Sequence, residues 1–476
     1  MERNTTALQD PGYRSIDRKG VGVETTRRDG AGLTRELVRR ALAVRHEDLP
    51  GTVRQVARDC LVDWLGCTHA GEQEPACRIV RASVLEEGGA AQATLIGSPL
   101  KVGVSQAALV NGTASHALDY DDVNLVLPGH VSVAVIPALL ALAEYRQASL
   151  SEFVAAFVAG YETACRIGAL VEPAHYANGF HATATLGSLG AAVACAHLLK
   201  LSESEACHAV GVAATQAAGL KAMFGSMAKP LHAGMAAQTG VRSALWAQKG
   251  FTSRPDALEC AQGFVLAHGQ DMHAHHALAE PAGGHHLLNN IFKFHAACFS
   301  THATIEALRE LRREHAPSPD QVQRIQVTAG TPCAICNIPS PTTGLEAKFS
   351  LRAASAFALL DMDTSRLDTW DRVTEDAVQA TLERVRVELV PGMGLSESVV
   401  ALHLADGRSF ERAASVGSPM ADKAEQSRRV DRKFLALVSP RIGYDRSLRI
   451  LDRLTAMVDD ASSSASLTDL FLDCRA

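Results

Sequence analysis

Four short stretches place ionisable residues inside apolar sequence. HALDYDDVNLVLPGH carries His116, Asp119, Asp121, Asp122 and His130; GFHATATLGSLG carries His181; KPLHAG carries Lys229 and His232; KFHAACFSTH carries Lys293, His295, Cys298 and His302. A single histidine on an apolar face is ordinarily a hydrogen-bonded core residue. Four such stretches are harder to dismiss, because each buried charge needs a partner and the least costly arrangement gathers them in one cleft. Lys229 is the sharpest case. It precedes Pro230 near the start of a predicted helix, where its charge opposes the positive end of the dipole, and its flanks, Gly219 to Met227 and Ala233 to Val241, read as buried helix. Such a lysine requires an anion. The set suits removal of a proton next to a carboxylate: the enolate-like dianion that forms needs fixed cations, here Lys229, His130 and Lys293, and histidines that titrate near neutrality move the proton.

Other motifs carry less. Cys333 and Cys336 in CAIC have zinc-like spacing but no second pair, and the six histidines from His268 to His286 form no HExxH helix and fall where a polar interdomain loop is expected. No metal and no cofactor is assigned. GxSxG, GxGxxG and paired CxxC motifs are absent, and GSLGAA reads as close helix packing.

The elements that must position these residues are mainly helical. Helical spacing dominates from Leu33 to about Ala277, as in TVRQVARDCLVDWLG, and LSESEACHAVGVAATQAAG opens with a capping box from Ser202 to Glu205. After KFHAACFSTHATIEALRELRREH the pattern changes: RIQVTAG, VRVELV and VVALHLADGRSFERA are β-rich, the last with Asp406-Gly407 as a hairpin turn. Helical spacing then returns. The predicted organisation is a disordered extension over 1–31, a helical domain over 32–278, an α+β lid domain over 279–420, and C-terminal helices over 421–476 that fold back onto the helical domain.

With 476 residues, 47% hydrophobic and 21% charged, the chain can bury large cores. A net charge of -6 offers no basic field for nucleic acid or anionic membrane. The run Val131 to Ala143 is too short for a membrane helix, and the N-terminus lacks a secretion signal, so a cytoplasmic protein is expected. The eleven cysteines, scattered singly, read as reduced core thiols.

Taken in order, LVNGTASHALDYDDV, GHVSVAVIPALLALAE, GFHATATLGSLGAA, GLKAMFGSMAKPLHAG, FTSRPDALECAQGF, KFHAACFSTHATIEA, EAKFSL and the late RKF resemble the MmgE/PrpD family over roughly residues 33 to 440. That family includes 2-methylcitrate dehydratase, cis-aconitate decarboxylase and iminodisuccinate epimerase. The resemblance implies a helical domain made from both ends of the chain, an inserted α+β lid, a homodimer and a cofactor-free cleft between the domains. It places the catalytic aspartate and histidine on Asp119 and His130, a second histidine on His181 and the lysine on Lys229, with Lys293, His295, Cys298 and His302 binding substrate from the lid motif. Two departures point away from decarboxylation: Cys298 stands where the decarboxylases carry a histidine, and Arg352-Ala353 follow EAKFSL where a tyrosine is common. The apolar Leu125, Val126 and Leu127 point to a substrate less polar than methylcitrate. The reading is a cofactor-independent hydro-lyase acting on a small polycarboxylate, 2-methylcitrate dehydratase-like, with epimerase, isomerase or decarboxylase action through the same intermediate as the alternative. An inactive member serving as a binding protein and a metal-dependent hydrolase are the rivals from other classes. Asp119, His130, His181 and Lys229 are predicted to open on one cavity, with Lys293 and His295 facing it from the lid.

Overall fold

The computed structural model describes residues 32–269, 272 and 274–459. The extension expected over 1–31, and the part of the C-terminal segment over 460–476, lie outside the described residues. The apolar period of TVRQVARDCLVDWLG becomes helix α1 (Gly51–Gly71), buried on nearly all sides. Then come α2 (Val104–His116), α3 (Ser132–Arg146), α4 (Leu150–Val171), α5 (Ala182–Leu198) and α6 (Ala228–Gln248). Among the described helices α4 alone is long and apolar enough to cross a membrane, and 94% of its apolar window is buried in the bundle.

Small residues set the spacing of this bundle. A Cβ on Gly234 of α6 would stand 2.3 Å from the Leu109 carbonyl oxygen and 2.4 Å from Thr113 Oγ1, so α6 can lie on α2 only without a side chain there. On the other side of α2, α1 packs along it, and α5 packs against α4 and α6. The α2–α6 crossing brings the start of α6, which carries Lys229, to the end of α2, where the 116–122 segment begins. Before α6 the expected buried helix over Gly219 to Met227 is instead a partly exposed loop with one 3-10 turn, Lys221–Met223; Leu220 and Met227 are half exposed, and Gly225 (φ 83°) takes a backbone that breaks helical continuity.

The smaller domain is α+β. Strands β1 (Val322–Gly330), β2 (Val385–Val390), β3 (Glu397–Leu404) and β4 (Ser409–Ser415) form one sheet in the order β2-β1-β3-β4. The β1–β2 pair is parallel and the other two are antiparallel, with Asp406-Gly407 in the β3–β4 turn. Helices α7 (His302–His315) and α8 (Leu351–Leu359) share a core with the sheet, through Leu308, Leu311, Phe357, Val327 and Leu402. Finally α9 (Lys423–Ile442) returns to α1, where Gln426 Nε2 donates to Asp59 Oδ2 at 3.1 Å and Lys433 Nζ meets Asp63 Oδ1 at 2.6 Å. The helical domain is thus built from both ends of the chain.

The histidine-rich stretch is not a free interdomain loop in its described part. Ala274 and Ala277 are buried, Arg166 Nη1 of α4 donates to the Ala277 carbonyl at 3.0 Å, and the Glu162 carboxylate accepts from the backbone N–H groups of His286 and Leu287. The ten described cysteines are free and, apart from Cys260, buried.

Replacing Gly234 by valine inserts atoms where contacts already lie below 2.5 Å, so Gly234→Val should lower unfolding stability by about 1–3 kcal/mol or more, read as a shift of the denaturant midpoint.

Candidate active site

Asp119 is the centre of the site. It follows the end of α2 with its backbone in the left-handed region (φ 51°), a conformation aspartate tolerates better than most residues. Its Oδ1 lies 2.7 Å from Lys229 Nζ and 2.7 Å from Lys293 Nζ, and Lys293 also donates to the Asp119 backbone carbonyl at 2.9 Å. All three side chains are buried. Burial alone would raise the Asp119 carboxyl, but the charges of Lys229 and then Lys293 outweigh it and hold the group ionised far below the usual carboxylate range. Lys229, in the first turn of α6, faces the unfavourable end of the helix dipole, and Asp119 offsets that cost. The rings of Phe224 and Phe349 stand 5.3 Å from its ammonium.

A second carboxylate orients two imidazoles. Asp121 accepts from His116 Nδ1 at 3.0 Å, and its Oδ2 is 2.8 Å from His130 Nδ1, which also lies 2.7 Å from the Asp122 carbonyl oxygen. Because both groups facing His130 Nδ1 are acceptors, Nδ1 carries a proton, and Nε2 is turned to Asp119 Oδ1 at 3.9 Å. Burial is the largest influence on His116 and, with Lys229 and His130 nearby, lowers it to about 4 against the pull of Asp121. At neutral pH the ring is therefore uncharged. His181, at the start of α5, shares a hydrogen bond with His232 (Nδ1 to Nδ1, 3.0 Å); burial, then neighbouring charges including Lys229, holds it well below its ordinary value, so this pair is neutral too.

His130, His181, Lys229 and Cys298 line one cavity of about 40 Å³, walled by Val123, Leu125, Phe224, Phe299, Ile335 and Leu395. Asp119 and Lys293 lie behind this lining, joined to it through Lys229. His295 and His302 stand elsewhere: His295 bonds Thr364 Oγ1 at 2.8 Å and Glu306 at 2.6 Å, His302 bonds the Ala297 carbonyl, and both line a neighbouring chamber. The KFHAACFSTH stretch crosses between the chambers: Lys293 bonds Asp119, and Cys298, Phe299 and Ser300 line the catalytic-side cavity.

Sequence reasoning left three contributors unassigned. Asp121 and His116 were visible as ionisable residues, without a signal for which imidazole each carboxylate would hold. Lys433, inside RKF, is buried on α9 and donates to Asp63, to the Tyr120 carbonyl at 2.5 Å and to the Lys293 carbonyl at 3.1 Å. It thereby ties the catalytic loop and the 291–298 connector to α1.

Donor atoms of His116, Asp119, Asp121 and His130 lie within 4.8 Å of one another, among the described residues the one group close enough to hold a metal ion. Two ammonium groups already sit on Asp119 and two imidazoles on Asp121, so a divalent cation would meet repulsion and occupied ligands. Lys229, which reaches the cavity lining, instead offers a cation to an anionic ligand. Cys333 and Cys336 pack in an apolar cluster with Cys298, Phe349 and Leu351.

A helical domain carrying fixed buried charges, joined to an α+β domain that supplies the rest of the cavity wall, is the architecture of a two-domain enzyme. The chain matches the MmgE/PrpD N-terminal domain over residues 35–276 and the MmgE/PrpD C-terminal domain over residues 295–456, and it belongs to that family. Human cis-aconitate decarboxylase is 26% identical over 444 residues, covering 89% of this chain and 91% of the relative. The cis-aconitate decarboxylase of Aspergillus terreus is 25% identical over 420 residues, 78% and 85% of the two chains. A cis-aconitate decarboxylase-like protein of Aspergillus oryzae is 29% identical over 324 residues, 63% and 67%.

Asp122 lies directly beneath His130. Its carboxylate accepts from Ser132 Oγ at 2.6 Å and Asn290 Nδ2 at 2.9 Å, and burial, then Asp63, raises it to about 7. A carboxyl whose folded value exceeds its unfolded value (about 4) contributes stability that is present at low pH and lost as pH rises through about 7. Asp122→Asn removes that loss. Its melting temperature relative to the unsubstituted protein should therefore climb between pH 5 and pH 8, measured by calorimetry across that range.

Proposed function

We propose that this chain is a cofactor-independent carboxy-lyase acting on a small unsaturated polycarboxylate of the cis-aconitate type. The observation that carries the reading is the convergence of Lys229, Lys293 and His130 Nε2 on Asp119 beside an apolar-walled cavity. The relatives named above support carbon dioxide loss over loss of water, reversing the order in which the sequence alone ranks them.

The chemistry follows from the charges. When a carboxylate leaves from a carbon allylic to a carboxylate-bearing double bond, the bonding pair shifts into the double bond system and an enolate-like dianion forms next to the remaining carboxylate. Lys229 and Lys293 provide fixed positive charge for it in a dry site, where such stabilisation is strong. A proton taken up from solvent at His130 Nε2 is placed to be delivered to the dianion and complete the product, and Asp121 on Nδ1 keeps the ring oriented for it. The apolar wall favours a substrate with at least one uncharged face. Dehydration is the second reading: a proton taken from the carbon next to a carboxylate of a hydroxy polycarboxylate gives a related enolate-like dianion, which expels hydroxide; it rests on Cys298, which lines the cavity where the family resemblance places a histidine in decarboxylases.

A cavity of about 40 Å³ has room for about three waters, far less than a tricarboxylate requires, so its wall opens for substrate to bind, and we place that opening at the α+β domain, whose return would exclude water. We also propose a homodimer. Leu220, Met223, Met227, Met235, Trp246 and Phe251 are exposed on and around α6, an apolar face that a second copy would cover. Light scattering across a concentration series measures that assembly.

Incubation with cis-aconitate, 2-methylcitrate and related acids in deuterated water, followed by NMR, should show a decarboxylated product with one deuterium incorporated. A hydrated or dehydrated product without carbon dioxide release would establish the second reading instead. Lys229→Met should lower kcat by about 10² to 10³ while the fold survives, because Lys293 still neutralises Asp119. The double variant Lys229→Met/Lys293→Met strands a buried carboxylate and should lose about 3–5 kcal/mol of stability. Near-normal turnover by a folded Lys229→Met protein would remove the lysine from the mechanism.

A further inference from the structure

A second pair of chambers lies beside the catalytic cavity, at the junction of the two domains. One, of about 180 Å³, is walled largely by Ile291, Phe292, Phe299, Val416 and Met420. The other, of about 540 Å³, is polar and carries Arg309 and Arg432. Phe294 and Arg429 line both and stand where they meet. Phe299 also lines the catalytic cavity, so it is the wall between that cavity and the apolar chamber.

Arg429 stands at that junction. Its guanidinium lies 3.8 Å from the centre of the Phe294 ring, its polar contact is Met420 Sδ at 3.8 Å, and no carboxylate among the described residues is within ion-pair distance. It is half-buried, and that burial pushes it below its ordinary value despite Glu306 at longer range. The acidic groups that share the chambers are engaged: Glu306 with His295, Asp361 with Arg312, and Asp363 with the N–H and hydroxyl of Ser365. Arg432 is paired with Glu425 at 3.1 Å. A half-buried guanidinium that no carboxylate pairs, stacked on an aromatic ring at the mouth of an apolar chamber, is an arrangement that a carboxylate bearing an alkyl chain would complement.

We propose that these chambers form an accessory binding site for a short-chain organic carboxylate, its head on Arg429 and its tail in the apolar chamber behind Phe299. The site is separate from the Asp119 cavity and holds whether that cavity removes carbon dioxide or water.

Calorimetric titration of the full chain with hexanoate, acetate and 1-hexanol at constant ionic strength tests it. Hexanoate should bind at one site per chain, with acetate and hexanol each at least about tenfold weaker, since each lacks either the tail or the charge. Arg429→Met should weaken hexanoate about tenfold or more, Arg429→Lys less, and Val416→Phe, which fills the chamber while leaving the guanidinium in place, should also weaken it. Unfolding midpoints of all three variants control for misfolding. Lys229→Met should leave hexanoate binding unchanged. Hexanoate binding that survives both Arg429→Met and Val416→Phe, that disappears in Lys229→Met, or that is matched by hexanol would overturn the proposal.

Discussion

One oxygen atom, Asp119 Oδ1, holds two lysine ammonium groups that come from different parts of the chain. Lys229 arrives on α6 of the helical domain and Lys293 on the connector that leads into the α+β domain. None of the three is tolerable in a dry interior without an opposite charge beside it. The contact therefore joins the domains at the point where reaction would occur, and everything around it maintains that meeting: the side-chain-free α2–α6 crossing delivers Lys229, the left-handed turn at Asp119 presents the carboxylate, and Lys433 fixes the loop and connector from behind.

Around this charged centre the histidines are held neutral or oriented by partners. His116 and His130 share Asp121, and His181 shares a proton with His232. Such an interior stores proton-transfer capacity without adding charge at rest. The positive charge that reaches the cavity lining is that of Lys229.

Much of this was legible in the residues themselves. The period of α1, the capping box at Ser202, the β-rich runs after residue 320 and the Asp406-Gly407 turn depend on local pattern, and local pattern is what a sequence displays. Lys229 announced an anion because a lysine followed by proline inside apolar sequence has few alternatives. What the sequence did not display was direction. His295 and His302 occupy the same motif as Lys293 and Cys298 yet turn into another chamber, because alternate side chains of an irregular connector leave it on opposite sides. Gly219 to Met227 read as buried by composition, but glycine backbone geometry and the lack of a covering element leave its methionines and leucine outside. Lys433 was hidden for a third reason: its three acceptors lie far away in the chain, and no spacing rule reaches that far.

The position of Lys433 has a consequence for the order of events in synthesis. Asp63, Tyr120 and Lys293 leave the ribosome long before the α9 residue that ties them together, so the early helices must wait with an acidic group and two carbonyls unsatisfied on what will become a buried face. Domains usually fold from the N-terminus as they emerge. Here the contacts that close the helical half onto Asp63, Tyr120 and Lys293 come from a residue made after the whole α+β half.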